Sequence, residues 1–323
     1  MYSTNDIPSL AGKNFVVTGG HSGLGYETCK YLALHKAAIV IIACRSEDKA
    51  NEAIAKISEM APSTNLVFVE LKLNDLKQVK TAAQKIVDFG VTIDVLINSA
   101  GIANTPFALS TDGIEEQFAY NHVGPFLFTT TLLPALLKSA EPRIVNISSH
   151  YHTQVSTPSG ILFDSINDPN AMTDAERYAQ SRLATILFSK ALHKRVGSRV
   201  YINTVDPGND VRSSGTTPQK ESKIHHRISG LFGGGAAAAA KADAAAVSSV
   251  LDAVKTPLYV ATSKDIVEKG YKDAYFAPVA DKERGDKELS ELAKDKELAE
   301  RLWEFTESLI KEKIMEAPRI PLP

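Results

Sequence analysis

Short runs of β-branched and other apolar residues alternate with helical patterns along most of the chain. The runs are NFVVTG, AIVIIAC, NLVFVEL, IDVLIN, RIVNIS, RVYINTV and DAYFAPV. Strands that are apolar on both faces are typical of parallel sheets covered on both sides, and a helix between two strands returns the chain for the next parallel strand. The alternation therefore predicts an α/β fold, a doubly wound parallel sheet of about seven strands with helices on both faces.

The alternation never gives way to another pattern, which predicts a single domain over residues 1–323. Residues 213–235 mix polar, basic and small side chains and end in three glycines, which predicts a substrate lid or a mobile loop. Residues 286–313 should form an amphipathic helix region packed on the body of the domain or, as an alternative, on a partner subunit. Its recurring apolar side chains are Leu298, Leu302, Phe305 and Leu309.

The charge balance makes some partners unlikely. With 36 basic and 38 acidic side chains the formal charge is -2, so nothing favours a nucleic acid or an anionic membrane as partner. No stretch reaches the ~18 apolar residues that a membrane-spanning helix needs, and no early segment resembles a secretory signal. A cytoplasmic protein is expected. Cys29 and Cys44 lie in a predicted helix and a predicted strand, where they should be reduced core residues.

A glycine-rich segment, TGGHSGLG, follows the first strand and precedes a helix. Its glycines let the backbone turn tightly and approach a pyrophosphate, whose charge would then lie at the N-terminus of the following helix. The position of the segment between strand and helix predicts a dinucleotide site, with a plain strand-to-helix turn as the alternative. The predicted cofactor-binding residues in it are Gly19, His21, Ser22, Gly23, Leu24 and Gly25.

The spacing of these glycines, TGxxxGxG, resembles that of the short-chain dehydrogenase/reductase family, and further motifs follow in the family's order. They are NSAG at 98–101, Asn121 in YNHVGPF, IVNISS ending at Ser149, Tyr178 in YAQSR, and Pro207 with Gly208. Retinol dehydrogenases and related fungal reductases are the most similar branch, given ACR, LYVATS and RLWEFTESL. The resemblance implies a Rossmann-type domain that interconverts a ketone or aldehyde and an alcohol on a small, apolar metabolite, and it allows a homo-oligomer.

Arg45 ends the second predicted strand, in IIACRSED. NAD enzymes of this fold usually place an acidic residue there for the ribose hydroxyls. An arginine can instead pair a 2′-phosphate bidentately, and His21 and Lys49 could add positive charge. The sequence therefore predicts NADP(H), with a solvated charge at the end of a strand as the alternative. Lys72 departs from the family, which commonly has an aspartate against the adenine at that position.

The resemblance implies further cofactor contacts. These would be Asn98, Ala100 and Gly101 along the adenosine ribose, Pro207 and Gly208 near the nicotinamide, and Val211 and Ser213 after them. The family's PGxVxT is present here as PGNDVRS, with one residue inserted. Ser213 would therefore take the place of the family's threonine at the pyrophosphate.

Hydride transfer to a carbonyl needs a proton donor at its oxygen, and the reverse reaction needs a base there. By matching position the family implies Tyr178 for this role, with Ser149 hydrogen-bonding the substrate oxygen and Asn121 holding a water in the proton path. The fourth member is ordinarily a lysine four residues after the tyrosine, and here it is Arg182. Lys190 is over two helical turns from the tyrosine, so the lysine is replaced and not displaced.

Arg182 keeps a permanent charge and enough donors to bind ribose hydroxyls, but an arginine does not release a proton in proteins. Redox activity at some cost is therefore the first expectation, because Ser149, Tyr178 and Asn121 all remain. A second is that Tyr178 exchanges protons through water, with slower turnover. The third is a non-redox pocket that catalyses dehydration or isomerisation, or binds the cofactor without turnover.

Two histidines, His150 and His152, follow Ser149 in SHYH. They could form a metal pair, but no third ligand follows them at a metal-binding spacing. We expect them to line the mouth of the substrate pocket, and no metal is expected.

Overall fold

The computed structural model describes residues 2–208 and 249–315. Within these residues seven strands form one sheet in the order β3-β2-β1-β4-β5-β6-β7, and all neighbours pair in parallel. The strands are β1 Asn14–Thr18, β2 Ile39–Cys44, β3 Asn65–Glu70, β4 Val95–Asn98, β5 Arg143–Ile147, β6 Tyr201–Val205 and β7 Ala274–Phe276. The predicted doubly wound α/β fold, its strand number and its single domain are confirmed.

Helices surround this sheet and cover both of its faces. They are α1 Gly23–Leu34, α2 Glu47–Met60, α3 Leu76–Asp88, α4 Glu116–Phe118, α5 Gly124–Leu136, α6 Asp174–Val196, α7 Val250–Ala253, α8 Lys255–Thr262, α9 Asp265–Glu268, α10 Lys282–Glu288, α11 Glu291–Lys294 and α12 Lys296–Ile314. The long helix α6 starts with a capping box between Thr173 and Glu176 and stops at Gly197, whose φ is +61°. It contains the predicted catalytic tyrosine.

The strands bury side chains on both faces, as their continuous apolar runs predict. Val16 belongs to the core on one face and the next residue, Val17, to the core on the other. Successive side chains of a strand point to opposite faces, which accounts for this division. Cys29 and Cys44 are both buried free thiols in the second of these cores, so their predicted place in the core is confirmed.

The direction in which successive strands are added to the sheet reverses between β1 and β4. β2 and β3 lie on one side of β1, whereas β4 to β7 lie on its other side. In such sheets the connections after the carboxyl ends of the two central strands diverge and leave a crevice for a ligand. The Ala100 N–H donates to Thr18 Oγ1 at 3.0 Å, which ties the ends of β4 and β1 together at that crevice.

The C-terminal helix α12 packs on α6, with two short helices, α10 and α11, before it. Its Trp303 is buried, with its ring centre 4.4 Å from that of Phe126 and 6.0 Å from that of Phe188. The buried positions are Leu298, Ala299, Leu302, Trp303, Thr306 and Ile310. Phe305 and Leu309 are only partly buried. The core-facing stripe is therefore displaced by about one residue from the predicted one.

Some predicted features fall on other parts of the chain. Val211, Ser213 and the segment 213–235 lie outside the described residues, so the lid stays a prediction. Among the described helices, none combines the length and the apolar character that crossing a bilayer requires. The cytoplasmic location also stays a prediction.

Candidate functional site

The glycine-rich loop closes tightly on itself before α1. Gly19 and Gly23 have φ values of +70° and +52°, which favour glycine. A Cβ at Gly25 would overlap the backbone oxygen of Gly19, so only glycine allows this approach. Ser22, the N-cap of α1, makes no capping hydrogen bond through its side chain. The first backbone amides of α1 are therefore not capped by that side chain. An anion that binds at a helix N-terminus requires such amides.

A cationic patch, made of His21, Arg45 and Lys49, lies beside this loop at the end of β2. Arg45 and Lys49 are exposed. Burial lowers the pKa of the His21 imidazole, and the charges of Lys49 and Arg45 lower it further. Because the charges of Lys49 and Arg45 act on His21, the three side chains lie near one another and form one patch. Lys72 does not add a free charge, because its Nζ lies 2.7 Å from Glu70 Oε1 in an exposed ion pair.

The Asn98 side chain points into the sheet. Its Nδ2 donates to Thr129 Oγ1 at 2.9 Å and to Asn146 Oδ1 at 2.8 Å, and Asn146 Nδ2 donates in turn to Ser189 Oγ at 2.8 Å. Asn98 is 6% exposed. Its side chain thus joins β4 to α5, β5 and α6. The expected contact of Asn98 with the adenosine ribose stays a prediction.

The Arg182 guanidinium lies between three neighbours. Its Nη1 donates to Ile147 O at 3.1 Å, at the end of β5, and its central carbon lies 4.9 Å from the ring centre of Tyr178. A Cβ at Gly101 would overlap Arg182 Nη2, so the glycine after β4 makes room for the larger side chain. Arg182 is buried and Tyr178 partly exposed, which leaves the tyrosine as the member of the pair that solvent or substrate can reach.

Ser149 lies at the same edge, as the N-cap of a short 3-10 helix over His150–Gln154. Its Oγ accepts the Tyr151 N–H at 3.3 Å, so its own proton remains free to donate. The Tyr151 ring lies 5.7 Å from the Tyr178 ring. The neighbouring Ser148 donates to Arg182 O at 2.9 Å. These contacts fix the end of β5 against the helix that carries Tyr178.

Asn121 sits in a π-helical turn, Ala119–Val123, between α4 and α5. Its Oδ1 accepts the Ile102 N–H and its Nδ2 donates to Ile102 O, both at 2.9 Å. Nδ2 also donates to Ser181 Oγ at 2.9 Å. The side chain is therefore engaged with the loop after β4 and with α6. Among the described residues, its Oδ1 accepts one hydrogen bond out of the two that its lone pairs allow, and the water in the proton path stays a prediction.

A small internal cavity of about 10 Å³ lies beside Arg182 and Asn121. Three of the residues that line it have a buried polar atom without a hydrogen-bond partner in the described part of the chain: Asn98 Oδ1, His122 Nδ1 and Arg182 Nε. A cavity of this size holds about one water, and a buried water needs two to four polar partners. The cavity therefore has both the size and the lining of a water site.

Pro207 and Gly208 follow β6 at the carboxyl edge of the sheet, and their predicted contact with the nicotinamide stays a prediction. Gly208 has a φ of +95° and donates its N–H to Asp206 Oδ1 at 2.8 Å. The prediction that both histidines line the pocket mouth is wrong for His152, which is fully buried. Its Nδ1 lies 2.8 Å from Ser149 O, and its Nε2 accepts the Ser290 N–H at 3.3 Å. Burial lowers its pKa to about 4.

The chain has relatives of known family over nearly its whole length. A family model for short chain dehydrogenases matches residues 13–223. The short-chain dehydrogenase TIC 32 B of Brassica napus chloroplasts is 35% identical over 303 residues, which are 91% of this chain and 88% of that one. Human retinol dehydrogenase 14 is 31% identical over 93% of this chain and 87% of its own. The chain belongs to the short-chain dehydrogenase/reductase family.

A solved structure supports the same assignment. An uncharacterized protein from Mycobacterium paratuberculosis superposes with a TM-score of 0.71 and 29% identity, over 99% of each chain. In the present chain the fold brings together the glycine loop, the end of β5 and the Tyr178–Arg182 pair.

Gly20 was not predicted as a site residue. A Cβ at this position would lie 2.7 Å from Cys29 Sγ, and its place in the glycine run was a usable signal.

His122, next to Asn121, should make the protein less stable in acid. Burial lowers its pKa to about 3, whereas a histidine in the unfolded chain titrates near pH ~6.5. Between these values the unfolded chain binds a proton that the folded protein does not, so the free energy of unfolding decreases as the pH falls below about 6.5. We expect a shallower decrease for His122→Gln, measured by urea unfolding at a series of pH values.

The control for this variant is His35→Gln, because His35 lies outside the site at the end of α1 and is only partly buried. It should follow the wild-type pH dependence. His152 remains in both variants, so part of the decrease is retained. A His122→Gln profile that runs parallel to the wild type would show that His122 does not contribute.

Proposed function

We propose that this protein is an NADP(H)-dependent oxidoreductase that interconverts a ketone or aldehyde and an alcohol. The observation that carries the proposal is the pairing of a partly exposed Tyr178 with the buried positive charge of Arg182, 4.9 Å from its ring centre. Ser149 stands at the same edge with a proton to donate. A small, apolar substrate is in keeping with relatives that are named retinol dehydrogenases.

The crevice has features that fit the cofactor. The close approach of Gly25 to Gly19 would bring a pyrophosphate against the uncapped N-terminus of α1. In the cationic patch, Arg45 and Lys49 would hold the 2′-phosphate, and His21 would add a third positive group on gaining a proton. NADP(H), when bound, supplies the hydride or accepts it.

The residues of the chain would handle the oxygen and its proton. Ser149 would donate a hydrogen bond to the substrate oxygen, since its Oγ already accepts from the Tyr151 N–H. Tyr178 would give its proton to that oxygen during reduction and take it back during oxidation. The nearby charge of Arg182 would stabilise the phenolate that remains, and the burial of the guanidinium strengthens this effect.

Proton return to Tyr178 cannot pass through Arg182, because its guanidinium does not release a proton. The small cavity beside Arg182 offers a place for a water, since Arg182 Nε could donate to it and Asn98 Oδ1 could accept from it. We propose that this water orients Arg182 and that bulk water exchanges the proton of the partly exposed Tyr178. The rival function, a non-redox or non-catalytic pocket, would follow if this exchange were too slow.

Wild-type protein should oxidise NADPH in the presence of at least one member of a panel of apolar ketones and aldehydes. Tyr178→Phe should lower the rate by about 10²- to 10⁴-fold, because it removes the proton donor. Tyr201→Phe is the matched control, since that ring lies at the start of β6 under Lys272. Loss of NADPH absorbance measures the rate. Wild-type protein that binds NADPH and leaves it unchanged with every carbonyl would favour the non-redox function.

Arg182→Lys should transfer hydride at least as fast as wild type, because lysine keeps the positive charge and can also release a proton. Turnover number and NADPH affinity should be measured together, with Arg199→Lys, an exposed site, as control. A turnover number that falls more than tenfold while NADPH affinity is unchanged would show that the guanidinium itself is required for catalysis.

Arg45→Ala should weaken NADPH binding about tenfold or more and leave NADH binding nearly unchanged, because a charge-assisted hydrogen bond contributes roughly 1.5–3 kcal/mol. Titration of each nucleotide, followed by its fluorescence, gives the two dissociation constants. Lys56→Ala, an exposed cation on α2, controls for overall charge. An unchanged ratio of the two constants would contradict the assignment of Arg45 to the 2′-phosphate.

A further inference from the structure

Three ligand-type side chains that the proposed chemistry does not use converge near the substrate end of the crevice. They are His150, Asp206 and Glu288, and each offers one ligand atom within 4.8 Å of the other two. His150 follows β5, Asp206 follows β6 and Glu288 ends α10. No third ligand follows His150 along the chain at a metal-binding spacing, yet the fold supplies two from other elements.

Backbone contacts position the three residues relative to one another. Asp206 Oδ2 accepts the His150 N–H at 3.1 Å, and the Asp206 N–H donates to Phe276 O at 2.9 Å. A Cβ at Gly285 would overlap Tyr275 O, so α10 lies directly against β7, and Glu288 is one helical turn farther along. Both oxygens of Asp206 accept only one backbone N–H each and retain a lone pair.

The hydroxyl of Tyr275 is an independent observation at the same place. Tyr275 pairs with Thr204 in the parallel sheet, so its side chain lies on the face that Asp206, two residues after Thr204, also occupies. Tyr275 is 2% exposed, and its hydroxyl has no hydrogen-bond partner among the residues that the structure describes. The charges of Asp206 and Glu288 both act on it. A buried hydroxyl is costly without a partner, and a bound ion or its water can supply one.

We propose that His150, Asp206 and Glu288 form a binding site for a divalent transition-metal ion, with the Tyr275 hydroxyl bonded to a water on that ion. One imidazole and two carboxylates suit Zn²⁺ or Mn²⁺. Ligand atoms at about 2.0–2.2 Å from one zinc ion in tetrahedral geometry are roughly 3.3–3.6 Å apart. The three ligand atoms, which lie within 4.8 Å of one another, therefore need to close by at most roughly 1.5 Å. The site is independent of the proposed redox function.

Arg284 is the group that competes with the ion. Its Nε lies 2.5 Å from Glu288 Oε1, which leaves Glu288 Oε2 for a metal. The positive charge of Arg284 repels a cation held by Glu288, so its removal should tighten the binding of the ion.

The test is calorimetric titration of the full, chelator-treated chain with Zn²⁺ and, separately, with Mn²⁺. Wild type should bind one ion of at least one of these metals per chain, and His150→Ala and Glu288→Gln should each weaken its binding by at least about tenfold. His193→Ala is the matched control, because His193 is a partly buried histidine near Asp273. Thermal unfolding without metal verifies that each variant is folded.

Arg284→Gln should change the metal affinity in the opposite direction, with binding several-fold tighter than in wild type. A wild-type chain that binds neither ion stoichiometrically would overturn the proposal. So would an affinity in folded His150→Ala that equals that of wild type, because the ion would then lie elsewhere. Unchanged affinity in Arg284→Gln would refute the use of Glu288 as a ligand.

Discussion

The contact between Arg182 and Gly101 is the constraint on which the site depends. A guanidinium is broad and planar, and Nη2 occupies the space that Gly101 leaves by lacking a Cβ. The same guanidinium donates to Ile147 O, so it joins the ends of β4 and β5 under the Tyr178 ring. The packing of the site is therefore matched to an arginine at position 182.

Much of the fold was predictable because its signals are local. Each strand is a continuous apolar run, α6 has its capping box and its glycine stop within its own sequence, and the Tyr178–Arg182 spacing is one helical turn. The direction of Asn98 and the burial of His152 were not predictable, because each depends on partners far along the chain, such as Asn146 and Ser290. Residue type alone does not distinguish a ligand contact from an internal hydrogen bond.

The Asn98 network shows why the difference matters. It connects β4 to β5 and α6 through a chain of amide and hydroxyl groups, and one of its unpaired atoms, Oδ1, belongs to a residue that lines the cavity beside Arg182. Buried polar groups of this kind are costly unless they have partners, so the network favours one arrangement of β4, β5 and α6. The Arg182 guanidinium is held at the edge of this arrangement by its hydrogen bond to Ile147 O at the end of β5.

Charge along the crevice is divided between its two ends. The cationic patch lies at the end of β2, whereas Asp206 and Glu288 lie at the end of β6 and on α10. Four strand spacings separate β2 from β6, which is about 19 Å at roughly 4.8 Å each. One end is suited to phosphates and the other to cations or hydrogen-bond donors. Coulomb attraction and repulsion would therefore place an anionic group of a ligand toward the cationic patch and away from these two carboxylates.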